Sequence, residues 1–176
     1  MTRFLKVPGI FVFMQHQQVE IRPIEVRDNK ILAGIIRSCL EEFGANHPGT
    51  VYYDESTDRL SEVFETPGSA YFVAEVNGSL AGGGGIFPTP GLPAGTCELV
   101  KMYLAPNARG TGLGKKLMQL CLEKAKELAY EKVYLETMPE LTKAIPMYEK
   151  FGFTYLDGPL GNSGHFGCAI QMMKWL

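Results

Sequence analysis

An α/β fold is the class this sequence predicts, on three observations. Strand-like alternation and helical periodicity take turns along the chain. Asn77-Gly78, a strong two-residue hairpin signal, separates two apolar runs near the middle. A strand-like run over residues 97–104 leads through the glycine-rich stretch Arg109-Gly110-Thr111-Gly112-Leu113-Gly114 into a long amphipathic helix over residues 113–130.

The elements follow in order. Residues 19–24 alternate like a strand, and Asp28 or Asn29 is placed to cap a helix running to about Phe43, with Ile31, Ile35, Cys39 and Phe43 at helical spacing. Residues 44–53 are loop and 56–64 a short acidic helix. Residues 70–76 and 80–87 form the hairpin; Asn77-Gly78-Ser79 is also a glycosylation sequon, but without secretion the turn accounts for it. Three prolines and two glycines make residues 88–95 a loop. In the helix over 113–130, Leu113, Leu117, Leu120, Cys121 and Leu128 face the core. Residues 132–137 are a strand, and 139–151 are helical in pattern, with Pro146 expected to kink or restart the helix. Strands at 153–156 and 168–175 close the chain, joined by a glycine-rich loop carrying Asn162, Ser163 and His165.

Composition fits one domain over residues 19–176. The 176 residues, 45% of them hydrophobic, can build a single buried core. Lys+Arg 17 against Asp+Glu 19 leaves no basic excess for gripping nucleic acid. Cys39, Cys97, Cys121 and Cys168 are too far apart for a zinc knuckle or a CxxC pair, so no metal is expected and the thiols read as buried and free in a reducing cytoplasm. Arg3 and Lys6 precede an apolar run, but that run holds Pro8 and Gly9 and is too short for a signal or a membrane span. Residues 1–18 therefore read as an extension, either non-native, with Met14 the biological start, or an arm that packs on a neighbour in a homodimer.

The glycine-rich stretch is where a backbone cradle for phosphates belongs. Glycines let the chain approach a charged ligand, the first free N–H groups of the helix point at it, and Arg109 adds a cation at the rim. Two familiar phosphate motifs are excluded. Reading a P-loop back from Gly114-Lys115 puts Arg109 at the first glycine and Lys116 at the hydroxyl; a dinucleotide fingerprint from Gly110 would need its third glycine at Lys115.

What remains, Arg-x-x-Gly-x-Gly after a strand and before a helix, resembles the acyl-CoA loop of the GNAT N-acetyltransferase superfamily. Residues 98–106, Glu-Leu-Val-Lys-Met-Tyr-Leu-Ala-Pro, look like that family's fourth strand, and residues 144–153, Ala-Ile-Pro-Met-Tyr-Glu-Lys-Phe-Gly-Phe, are similar to its Ala-x-x-Leu-Tyr-x-x-x-Gly-Phe signature. The resemblance implies a mixed central sheet of about seven strands flanked by about four helices, and acetyl-CoA as co-substrate with an amine acceptor. It implies coenzyme contacts from Met102, Tyr103, Leu104, Arg109, Gly110, Thr111, Gly112, Leu113, Gly114 and Lys115. Leu141 stands where many relatives carry Asn, which removes one such contact.

Acetyl transfer needs a neutral amine, a polarised thioester and a proton for the departing thiolate. A lysine-like amine, pKa about 10.4, is only about 0.04% neutral at pH 7, so a base matters. Glu98 lies eleven residues before Arg109, the spacing of the base in the family's histone-acetyltransferase branch, and alternation puts it on one face with Val100 and Met102. Tyr148 occupies the family's acid position. His165, on a loop that borders the acceptor cleft in this fold, and His47 are further candidates, and the acidic residues Asp54, Glu55, Asp58, Glu62 and Glu65 read mainly as a solvated face. A catalytically idle acyl-CoA-binding module, or a transferase of another acyl group, is the alternative.

Overall fold

Residues 18–176 are described by the computed structural model, so the expected N-terminal arm falls, but for its last residue, outside the described residues. Seven strands form one mixed sheet: β1 (Val19–Pro23), β2 (Ala70–Val76), β3 (Ser79–Phe87), β4 (Thr96–Leu104), β5 (Lys132–Thr137), β6 (Thr154–Tyr155) and β7 (Ile170–Trp175). Their spatial order is β1-β2-β3-β4-β5-β7-β6. Among the described residues only β4 and β5 pair in parallel, and a helical crossover joins them. The hairpin forms as expected: Val76 pairs with Ser79, and Asn77 and Gly78 both take positive φ, as a twist-matched two-residue turn requires.

Four helices cover the sheet: α1 (Asn29–Glu42), α2 (Leu60–Val63), α3 (Leu113–Glu127) and α4 (Ile145–Lys150). Leu32, Ile36 and Leu40 of α1 pack with Leu60 of α2 and Val73 of β2. On the opposite face Met118, Cys121, Leu122 and Ala125 of α3 meet Leu99, Val133 and Leu135, with Tyr148 of α4. Among the described residues no helix is long and apolar enough to cross a membrane.

Four expectations change. The buried stripe of α1 is Leu32, Ala33, Ile36, Cys39 and Leu40, whereas Ile31 is 57% exposed: β-branched residues on the polar face mimicked a stripe one position out of phase. Asp28 does not cap α1. Its carboxylate takes the Arg22 guanidinium at 2.7 and 2.8 Å and the Glu25 amide at 2.8 Å, while Asn29 caps the start of α2 through the Ser61 amide at 2.9 Å. Residues 139–144 are turns, and α4 begins at Ile145 with Pro146 in its first turn, where a missing N–H costs nothing. Helix α3 also stops at Glu127, leaving Leu128 at its cap, 39% exposed and off the core.

Arg22, Asp28 and Glu75 bind the first strand to the second. The Arg22 guanidinium also reaches Glu75 at 2.5 Å, and it holds the Asp28 carboxyl below the usual range. Arg22→Ala should destabilise the fold by about 3–5 kcal/mol, because it strands a buried carboxylate. Thermal denaturation measures this; a loss under about 1 kcal/mol, typical of exposed pairs, would show that water already screens the pair.

One irregularity sets up the site. Gly83 pairs with Tyr103 and Gly85 with Val100, so Gly84 faces two residues, Lys101 and Met102. Lys101 is the extra residue of this bulge and sits at φ 49°. The Tyr71 ring crosses the glycine strand, and its hydroxyl donates to the Lys101 carbonyl at 2.7 Å. A Cβ at Gly83 or Gly85 would lie 2.6 Å from that ring, which explains the glycines.

Candidate active site

The parallel register of β4 and β5 covers only Thr96↔Lys132, Cys97↔Val133 and Glu98↔Tyr134. Beyond Glu98 the edge of β4 that faced β5 pairs with no strand among the described residues, and the two strands part. A cavity of about 660 Å³ opens at this fork. Glu98, Lys101, Tyr103, Glu136, Thr137, Tyr148 and His165 line it, and at its far end so do Arg109, Gly110, Gly112 and Lys115. The sequence-predicted acid, base and glycine loop therefore share one cavity.

Glu98 is 3% exposed, and Thr89 Oγ1 donates a hydrogen bond to its Oε2. Burial pushes its carboxyl up to about 7, and the charge of Glu136 adds to the effect, against the Thr89 hydrogen bond and the charges of His165 and Lys101. The apolar wall was expected to include Met102, but the Lys101 bulge reverses the alternation. Met102 packs with Cys97 and Leu99 on the α3 side, and Tyr103 turns to the α1 side instead. Tyr148 is 7% exposed, edge-on to Phe153 at 6.1 Å, and burial pushes its hydroxyl up to about 12, so it keeps its proton at neutral pH.

Sequence reasoning missed three residues that face the cavity: Glu136, Asp54 and Lys101. Glu136 accepts from Tyr134 Oη and from Ser163 Oγ, each at 2.7 Å. Asp54 leaves the acidic cluster and turns inward: its Oδ2 meets Lys101 Nζ at 2.5 Å and His165 Nε2 at 3.7 Å. Burial opposes its ionisation, but His165, Lys101 and the Ser56 amide outweigh that and hold its carboxyl far below the usual range. Of the rest of the cluster, Asp58 pairs with Arg37 and Glu55, Glu62 and Glu65 face solvent. One oxygen each of Glu98 and Glu136 and one ring nitrogen of His165 lie within 4.8 Å of one another, close enough to hold a cation between them. A same-face alternation on β5 could have found Glu136, since Tyr134 pairs with Glu98 and Glu136 follows two residues on. His47 stands apart, with Nε2 3.9 Å from Glu140.

At the other end, Gly110 and Gly112 take φ 75° and 85°, and a Cβ on either would meet nothing within 4 Å. Glycine is kept for its backbone conformation, and the space in front is free for a ligand. The fifteen residues of α3 direct their dipole and first amides there, with exposed Lys115 and Lys143 beside them. These features fit a pyrophosphate. Arg109 is not the free cation expected at the rim. It donates to Glu42 at 2.7 and 2.8 Å, to the Leu104 carbonyl at 2.9 Å and to Cys39 Sγ at 3.3 Å, and it stacks 5.2 Å over Phe43. It thereby ties the loop to α1. Cys39 and the other three cysteines are buried and free, as expected.

Gly112→Val forces a β-branched residue to a positive φ and fills the space before the helix amides. If this loop holds the phosphates of an acyl-CoA, acetyl-CoA should raise the melting temperature of the wild type and not that of the variant, measured by thermal shift. An unchanged rise would place the phosphates elsewhere.

A model of the Acetyltransferase (GNAT) family matches residues 34–153. The uncharacterized N-acetyltransferase YjgM of Escherichia coli (strain K12) is 40% identical over 161 residues, spanning 91% of this chain and 96% of its own. A GNAT-family acetyltransferase from Staphylococcus aureus Mu50 superposes with a TM-score of 0.80 at 20% identity, over 90% of this chain and 99% of its own. The paia N-acetyltransferase from Thermoplasma acidophilum, solved in complex with coenzyme A, superposes with a TM-score of 0.70 at 20% identity, over 90% and 99%. The sheet with its single parallel pair, the glycine loop opening into the fork and these matches agree: the chain belongs to the GNAT acetyltransferase family.

Proposed function

We propose that the protein transfers an acetyl group from acetyl-CoA to a primary amine by direct attack, with Glu98 as general base and Tyr148 as general acid. The observation that carries this reading is Glu98, a carboxyl buried at the strand fork and pushed up to about 7, in the same cavity as the glycine loop. A base poised near neutrality combines a useful ionised fraction with a strong pull on a proton.

In this reading the amides of Gly110 to Gly114 and the start of α3 hold the pyrophosphate, with Lys115 at the mouth. The unpartnered edge of β4 at Met102, Tyr103 and Leu104 aligns the pantetheine arm and polarises the acetyl carbonyl. Glu98 removes a proton from the amine. Tyr148 gives its proton to the sulfur as the carbon–sulfur bond breaks. The coenzyme bound to the Thermoplasma acidophilum protein on the same fold supports the choice of acyl donor.

An amine-library screen that follows thiol release from acetyl-CoA tests the reading, with propionyl- and succinyl-CoA as competing donors. Acetyl-CoA should be consumed with at least one primary amine. Coenzyme binding without turnover on any amine would overturn it.

A further inference from the structure

Glu136 has no part in that mechanism, yet it is placed beside its base. It projects from β5 on the same face as Tyr134, whose pairing with Glu98 puts both carboxyl groups on one side of the fork. Tyr134 and Ser163 each donate one hydroxyl hydrogen bond, one to either oxygen, which fixes the carboxylate and leaves a lone pair on each oxygen. Thr89 fixes Glu98 through Oε2 and leaves Oε1 open.

The charges facing this pair come from three further places. Lys101 enters from the bulge of β4, Asp54 from the segment after α1, and His165 from the loop before β7. Lys101 has only 7% of its side chain exposed and is held by Asp54, so these two cancel. What is left beside the fork is two carboxyl groups and one imidazole.

We propose that Glu136 and Glu98 together receive the acceptor as its ammonium ion, and that the acceptor is a primary alkylamine with no carboxylate on the carbon beside the nitrogen. The proposal rests on the N-acetyltransferase reading. An ammonium brings three N–H donors to a place that offers two anionic acceptors, and an adjacent carboxylate would be carried against like charge in a site where Lys101 is already engaged. One N–H bond of the ammonium breaks as Glu98 takes its proton. The freed lone pair forms the bond to the acetyl carbon, and the carbon–sulfur pair leaves with sulfur. A second N–H proton replaces the one that Tyr148 passes to the thiolate, and the proton on Glu98 returns to water. Ammonium and thioester thus give amide, thiol and one proton.

Butylamine and norvaline, which is butylamine with a carboxylate beside the nitrogen, are the probes, with norvalinamide as the uncharged control. In the thiol-release assay kcat/KM for butylamine should exceed that for norvaline by about tenfold or more, with norvalinamide recovering most of the difference. Glu136→Gln should raise the KM for butylamine by about tenfold or more and leave the KM for acetyl-CoA unchanged. It should also move the acid limb of kcat/KM to lower pH, since a charge beside Glu98 is gone; Glu136→Asp should restore part of both effects. Equal use of norvaline and butylamine, or a Glu136→Gln variant with unchanged KM and pH limb, overturns the proposal while leaving N-acetyl transfer standing. Should no amine drive thiol release, calorimetry of butylammonium with the coenzyme A complex decides the site separately. No heat, or the same heat from Glu136→Gln, overturns it.

Discussion

Glu98→Gln is expected to slow acetyl transfer to a lysine-like amine about 10²-fold or more at pH 7, with the KM for acetyl-CoA unchanged. The loss should shrink as pH approaches the amine's own pKa of about 10.4, where solvent supplies the neutral nucleophile. In the wild type kcat/KM should climb through about pH 7, as the buried carboxyl ionises. The same substitution has an opposite effect on folding. Glu98 has a folded pKa of about 7 against an ordinary 4.5, so the stability it contributes is present below 4.5 and lost as pH rises through 7. Gln carries no such penalty, and the variant should melt higher than the wild type at pH 8 but not at pH 4. Each kcal/mol regained is worth roughly 2–4 °C in a chain of this size. An active Glu98→Gln enzyme at pH 7 would mean that another group takes the proton.

Tyr148→Phe is expected to lower kcat by about 10²-fold or more at every pH where chemistry limits the rate, with little change in coenzyme affinity. The lost proton is the one for a thiolate whose conjugate acid has a pKa of about 8.5, and no change of buffer replaces a donor inside the fork. Phe preserves the packing on Phe153, so the melting temperature should barely move. A flat pH-independent loss separates this role from that of Glu98. Full kcat in the variant would remove Tyr148 from the chemistry.

Much of the fold was legible because its signals are local. Asn77-Gly78 dictates a turn whatever surrounds it, and residues 97–114 present strand, glycines and helix in sequence. The glycine loop was singled out the same way, whereas Glu98 and Tyr148 were singled out through the family resemblance. What escaped depends on pairing across the sheet. Glu136 matters because a register puts Tyr134 opposite Glu98, and Asp54 because a bulge turns Lys101 toward it. Arg109 shows the converse: its type and position suggest a phosphate ligand, but its partner Glu42 lies 67 residues away. Periodicity also misled on α1, where Ile31 and Ile35 imitate an apolar face that belongs to Leu32, Ile36 and Leu40.

The extra residue in β4 behaves like a frameshift in the strand. Upstream of Lys101, even-numbered residues look into the cleft; downstream, the odd-numbered Tyr103 does so, while Met102 joins the core. Core and cleft are thus written in two reading frames on one strand. Deleting Lys101 would bring the frames back into step: Met102 alone would face Gly84, still toward the core, and Tyr103 and Leu104 would keep Gly83 and Gly82 as partners. Val100 and Tyr103 can therefore be altered to suit a new acceptor without repacking the face beneath α3, and the spacing between base and glycine loop, counted in residues, is one longer than a regular strand would need.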